Sequence, residues 1–175
     1  MGPSTPEPIV AVLLDAWTDL DRVIDRLTDE AAESDAQGSA HAWTVGHLAN
    51  QVDGWINVRF AGGHPHRLVG DDRFRFGADG RATDWLAIRS ASVEVRAQAT
   101  SFLERLAADD LERTIPYPGS LPELIGRTVS LRYTLLRVLA HHYFHIGEIA
   151  SKRSGRGESV GDYPGPLLAT LRTDA

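Results

Sequence analysis

Residues 139–149 read LAHHYFHIGEI, which puts His141, His142 and His145 within five consecutive positions. Histidine is a middling helix former and is costly to bury without a partner, so such a cluster asks for a chemical reason. At i and i+4 on a helix, His141 and His145 share one edge and present their imidazoles to a common point, as a first-row metal requires. Leu131, Leu135, Val138, Ile146 and Ile149 form the apolar stripe of the same segment, and His142 falls in its middle. His142 is therefore expected in the core, hydrogen-bonded to a neighbouring helix. His-x-x-x-His pairs are common by chance, and the metal reading gains weight only if facing elements complete the site.

The elements that would position these histidines are helices. Ile9, Leu13, Trp17, Leu20, Val23, Ile24 and Leu27 recur at three- and four-residue steps, the period of one helical face. The same reasoning gives helices at about 6–28, 44–61, 83–108 and 130–154, with Thr44 as the N-cap of the second. Strand alternation is unconvincing, although 114–117 suits a short extended piece. The expectation is an all-α, antiparallel four-helix bundle filling a single domain, 1–175, with long connections after helices two and three. The stretch AGGHPHRLVGDDRFRFGADGR is too long for a simple turn and is a candidate for function. The glycine- and proline-rich stretch after the last helix is expected to pack back over the bundle, with DYPGP (162–166) over one end.

Composition narrows the chemistry. The 175 residues carry a net charge of −6 and no cysteine. Disulfides, thiolate ligands and a cysteine nucleophile are excluded, and any thiol must arrive as a cosubstrate. The acidic balance argues against nucleic acid and anionic membranes as partners. The opening stretch lacks the pattern of a signal peptide, and no apolar run reaches the ~20 residues of a membrane span, so the expected location is cytoplasmic.

HHYFHIGEI resembles the His-x-x-x-His-x-Gly-[Gln/Glu]-Ile signature on the last helix of the DinB-like superfamily. The opening of the second helix, WTVGHLANQ, is similar to that family's Trp-[Ser/Thr]-Val start. The resemblance implies a four-helix bundle holding a divalent metal, typically nickel or zinc, through three histidines with water in the open positions. It also implies a metal-dependent hydrolase or a bacillithiol or mycothiol S-transferase. His141 and His145 match two of the ligands. The third, eight residues after Trp43, is Gln51 here, a neutral and weaker ligand than imidazole. His47, one turn earlier, reaches the same place if the helix is slightly rotated.

Three readings follow. A metal held by His141, His145 and Gln51, with His47 as substitute ligand, would acidify a water or thiol for attack on a small-molecule substrate. Mycothiol is then the natural thiol for a chain rich in Ala, Arg, Asp and Val. A metal-free pocket would instead use His141 or His145 as general acid or base, with Glu148 orienting its partner. A binding module would keep the pocket without the chemistry. Trp55 shares a flank with Gln51 and is expected to wall the pocket. Arg59 and Arg67 are placed to meet an anionic cosubstrate. Gly147 is expected to let another helix or ligand come close, and Trp43 to plug the bundle end. Tyr143 and Phe144 are expected to face away from the histidine edge, where exposed aromatics would admit a homodimer. His41, His64, His66 and Asp53 are expected to be solvated.

Overall fold

The computed structural model describes residues 7–162 apart from 37 and 120. The predicted stripes do form helices. Helix α1, Pro8–Ile24, buries Val10, Leu13, Trp17, Leu20, Val23 and Ile24. It stops four residues before the predicted end because Arg26 takes a positive φ of 58°, which no α-helix continues through. Thr28 then opens a one-turn helix, α2, Asp29–Glu33, inside a stretch that the sequence reads as irregular. Its hydroxyl accepts from the Ala31 amide at 3.2 Å, and Asp29 and Glu30 occupy the favourable first turn.

Helix α3, His41–Val52, starts three residues before the predicted Thr44 cap. Its N-cap is Ala40, which has no capping side chain. Tertiary contact fixes the start instead, since the Ala40 amide donates to the Gly80 carbonyl at 2.8 Å. Thr44 lies inside the helix and returns its hydroxyl to the Ala40 carbonyl at 3.2 Å. From Asp53 to Phe60 the same helix widens to π geometry, a rare winding that recurs at functional sites.

The 61–84 excursion folds onto α3 rather than into solvent. Phe74 is fully buried, which stabilises the packed loop by roughly 1.5–3 kcal/mol. Gly46 makes this possible, because a Cβ there would stand 2.2 Å from the Phe74 ring. Helix α4, Trp85–Leu103, follows Asp84, whose φ is 66°, and ends before the predicted 108. Strand β1, Thr114–Pro116, is the expected extended piece, and it pairs antiparallel with β2, Thr128–Ser130. This small sheet corrects the purely helical expectation. Such short strands give no readable alternation.

Ser130 then caps α5, Leu131–Gly155, by accepting from the Tyr133 amide at 3.1 Å. Helix α1 packs along α5, α3 along α4, and α3 meets α5 at the histidines, so the molecule is mostly helical around one apolar core. Arg22 of α1 binds the carbonyls of Val160 and Gly161, which brings the chain after α5 back as expected. The rest of DYPGP, beyond Asp162, lies outside the described residues. Among the described residues no helix is long and apolar enough to cross a membrane.

Candidate metal centre

Three histidines meet where α3 crosses α5. His47 Nε2 lies 3.3 Å from His141 Nε2, and His145 Nε2 lies 2.9 Å from the same atom. The ligand atoms of all three are within 4.8 Å of one another. Three imidazole nitrogens on a tetrahedral zinc at ~2.0–2.1 Å would stand about 3.3 Å apart, close to the two separations at His141. His47 and His145 are buried and His141 is half-buried.

The protons on these rings follow from their neighbours. His47 Nδ1 faces the Phe74 carbonyl at 2.6 Å. A carbonyl can only accept, so Nδ1 carries the hydrogen and Nε2 keeps its lone pair. His145 Nδ1 faces Glu148 Oε2 at 2.7 Å, with the same consequence while its ring is neutral. Both lone pairs therefore point at His141 Nε2, which has one proton at most to give and cannot satisfy both. A cation at the centre satisfies all three nitrogens, and the Nδ1 partners are the supports that metal-binding imidazoles use.

Electrostatics favours the neutral, ligating state of His141 and His47. Burial, then the charges of His145, His47, His142 and Arg137, push His141 down to about 3. His47 is also lowered, chiefly by burial, against the opposing pull of the Phe74 carbonyl. Burial alone would raise Glu148. Its hydrogen bonds from Lys152 (2.5 Å) and His145 outweigh that and keep the carboxyl below its usual range.

Packing locks the frame. Trp43 stacks on His47 with centroids 4.8 Å apart and planes 7° from parallel, and its indole N–H donates to the Arg73 carbonyl at 2.6 Å. Trp43 is thus a support for a candidate ligand rather than a plug at the bundle end. Asn50 ties the same loop down by donating to the Val69 carbonyl at 2.7 Å.

Beside the triad opens a cavity of about 660 Å³ whose walls include His47, Gln51, Trp55 and His141. Trp55, the expected wall residue, lines this cavity. Gln51 faces this cavity, whereas His47, the predicted substitute, is the side chain that joins His141 and His145. Glu148 supports His145 from its far ring nitrogen.

Several expectations are corrected. His142 is buried, but its Nδ1 donates to the Val138 carbonyl of its own helix at 2.8 Å, not to a neighbour. Asp53 is 1% exposed because its carboxylate accepts from the His66 amide at 2.8 Å and faces Asn57. His66 is half-buried, and its Nδ1 accepts from the Leu68 and Val69 amides, while His64 is exposed. His41 is 2% exposed against Arg156. A Cβ at Gly147 would meet nothing within 4 Å, so no close approach explains that glycine. Phe144 is exposed, yet its ring lies 5.1 Å from that of His145 rather than pointing away. Tyr143 is partly buried against the core.

Sequence reasoning missed Gly46, Phe74 and Arg137. The available signal for His47 was its place one turn after Trp43 and one before Gln51, with Gly46 clearing space beside it.

Fold and site together define a mostly helical protein with a preorganised three-histidine centre at the mouth of a cavity. The chain belongs to the DinB superfamily, whose family model matches residues 12–149. None of the curated proteins compared with it matches.

Proposed function

We propose that this is a metal-dependent enzyme acting on a small molecule, by transfer to a thiol cosubstrate or by hydrolysis. In this reading the four long helices form the family's antiparallel bundle, and His47, His141 and His145 hold a divalent nickel or zinc ion. The carrying observation is the convergence of three ring nitrogens, two of them with their lone pairs fixed inward by Phe74 and Glu148. A divalent cation, when bound, supplies Lewis acidity that makes a nucleophile's proton easier to lose. The chain supplies the rest. Glu148 and Lys152 hold the His145 ring, Trp43 holds the His47 ring, and the cavity admits the substrate to the His141 side. Gln51, one turn beyond His47 on the cavity wall, takes the role of a neutral hydrogen-bonding group for the nucleophile, and His47 takes the third ligand position.

The test is elemental mass spectrometry on protein purified without a tag or chelator. Near-stoichiometric nickel or zinc is expected in the parent and in Gln51→Ala, with loss in His47→Ala and His145→Ala. A metal that survives His47→Ala but vanishes in Gln51→Ala would return the third ligand to Gln51. A parent empty of metal that stays empty on incubation with nickel or zinc would end the metal reading.

One observation favours a second reading. The hydrogen-bonded chain His145–Glu148–Lys152 is also what a general base with an orienting carboxylate looks like. Turnover that persists in chelator-treated, metal-free protein and is lost in Glu148→Gln would select it.

A further inference from the structure

The cavity beside the histidines is cationic in a protein whose net charge is −6. Arg59, Arg75 and Arg137 all line it, and Asp53 is its one carboxylate among the described residues. Asp53 is already committed to the His66 amide and Asn57. Arg75 pairs with Asp72 at 2.9 Å, and Arg59 donates to the Gly54 carbonyl at 2.6 Å. Arg59 is depressed first by burial and then by the charge of Arg75, so two of these cations repel across the wall.

Arg137 is different. Among the described residues it has no hydrogen bond and no ion pair, and its Nη1 is buried without a partner. Its guanidinium lies over the Trp55 ring, 5.5 Å from the centroid. A half-buried guanidinium with five donors and no acceptor is costly unless something else completes it. The helix explains where that completion would fall. Arg137 precedes His141 by four residues on α5 and so shares its face, with Cα atoms roughly 6 Å apart along the axis. The other wall is aromatic. Trp55 lies against Tyr117 at 6.1 Å and beneath Arg59 at 4.8 Å, and Phe76 at the cavity is 93% exposed.

We propose that the cavity selects a carboxylate-bearing substrate with a flat unsaturated or aromatic body, held by Arg137 with its body against Trp55 and Tyr117 and its reacting centre toward His141. The planar guanidinium fork matches a carboxylate in two-point contact. The aromatic wall favours a planar body, since such pairs stabilise beyond their buried area. This names the substrate class of the proposed enzyme and rests on that reading for its catalytic meaning. The binding preference itself does not need the metal.

The experiment compares 2-naphthoate with the neutral 2-naphthamide by calorimetric titration on the protein as purified, with metal content recorded on the same sample. The parent is expected to bind the carboxylate at least tenfold more tightly than the amide. Arg137→Gln should erase that preference while retaining the parent's metal content and circular dichroism. Arg132→Gln, an exposed residue paired with Glu112, should leave it unchanged. If Arg137→Gln does not fold, Arg137→Met keeps the aliphatic stem without the charge and takes its place.

Equal binding of the two probes by the parent overturns the proposal. So does a carboxylate preference that survives loss of Arg137, because a metal or another arginine would then be the receptor. So does the absence of naphthoate binding at millimolar concentration. A parent that stays metal-free on incubation with nickel or zinc, yet shows an Arg137-dependent preference, would sink the metalloenzyme reading alone.

Discussion

At the scale of residues, the site depends on atoms that have no metal chemistry of their own. The Phe74 carbonyl fixes the His47 tautomer, and Phe74 can stand there only because position 46 has no Cβ. Gly46→Ala would force the buried ring or the loop to shift. The expected loss is ~1–3 kcal/mol, the usual penalty for overpacking, read as a lower urea midpoint at unchanged slope. A shifted Phe74 also loosens the support of a candidate ligand, and where the proposed metal is bound a 10- to 100-fold weaker affinity is the typical result. Competition with a chromophoric chelator measures this, and parent-like affinity in Gly46→Ala would show that Phe74 does not tune His47. The sequence disclosed His141 and His145 because their spacing alone aligns them. It gave no comparable access to the Phe74–His47 contact, which joins residues 27 apart through a backbone oxygen that no side-chain pattern records. Arg137 was hidden for a related reason. An arginine on a helix is usually solvated, and only the fold shows that this one buries its Nη1 without a hydrogen-bond partner among the described residues.

At the scale of elements, the apolar stripes of α1, α3, α4 and α5 were legible because a 3.6-residue period survives in the sequence wherever one face is buried. Their ends were less so. Helix α1 ends on the positive φ of Arg26, where Arg153 donates to the Val23 and Asp25 carbonyls, and α3 begins on an uncapped Ala40 whose amide donates to the Gly80 carbonyl. The π segment Asp53–Phe60 has no sequence period of its own, and it is where Asp53, expected in solvent, turns inward. There its carboxylate holds the 61–84 loop through the His66 amide at 2.8 Å, while the Asn57 amide donates to the Val95 carbonyl of α4 at 3.0 Å. Asp53 therefore acts as a clamp between helix and loop. Asp53→Asn keeps the shape and removes the charge, and a charge-assisted bond of this kind contributes ~1.5–3 kcal/mol. The loss should appear as faster amide hydrogen exchange across 61–84, with α1 and the far end of α5 unchanged. Uniform acceleration over the whole chain would mean instead that Asp53 serves global stability.

At the scale of the whole molecule, charge and burial set a lower pH bound on the fold independently of the three-histidine site. His41 lies at the start of α3, 2% exposed, with the Arg156 guanidinium donating to its Nε2 at 3.2 Å. Burial first, then the charges of Arg156, Lys152 and Arg153, lower it from 6.5 to about 4, against a weaker upward pull from Glu148. Glu148, Lys152 and Arg153 lie near the end of α5 and Arg156 caps it, so protonating His41 would set a fourth positive centre beside three cations and one acid in place of an acceptor for Arg156. The unfolded chain has no such penalty and binds its proton near 6.5. Between about pH 6.5 and pH 4 the unfolded state therefore carries more protons than the folded one, and stability falls as pH is lowered through that window. Above it and below it this residue adds no slope. Allowing for solvent screening near the cationic rim, the loss amounts to on the order of 2 kcal/mol. His41→Gln keeps an acceptor for Arg156 and cannot titrate. Urea unfolding of chelator-treated protein at pH 7 and pH 4.5 should show the parent losing more stability than the variant by about that amount. Parallel losses in the two proteins would place the acid sensitivity elsewhere and would mean that α5 relaxes to accommodate the charged ring.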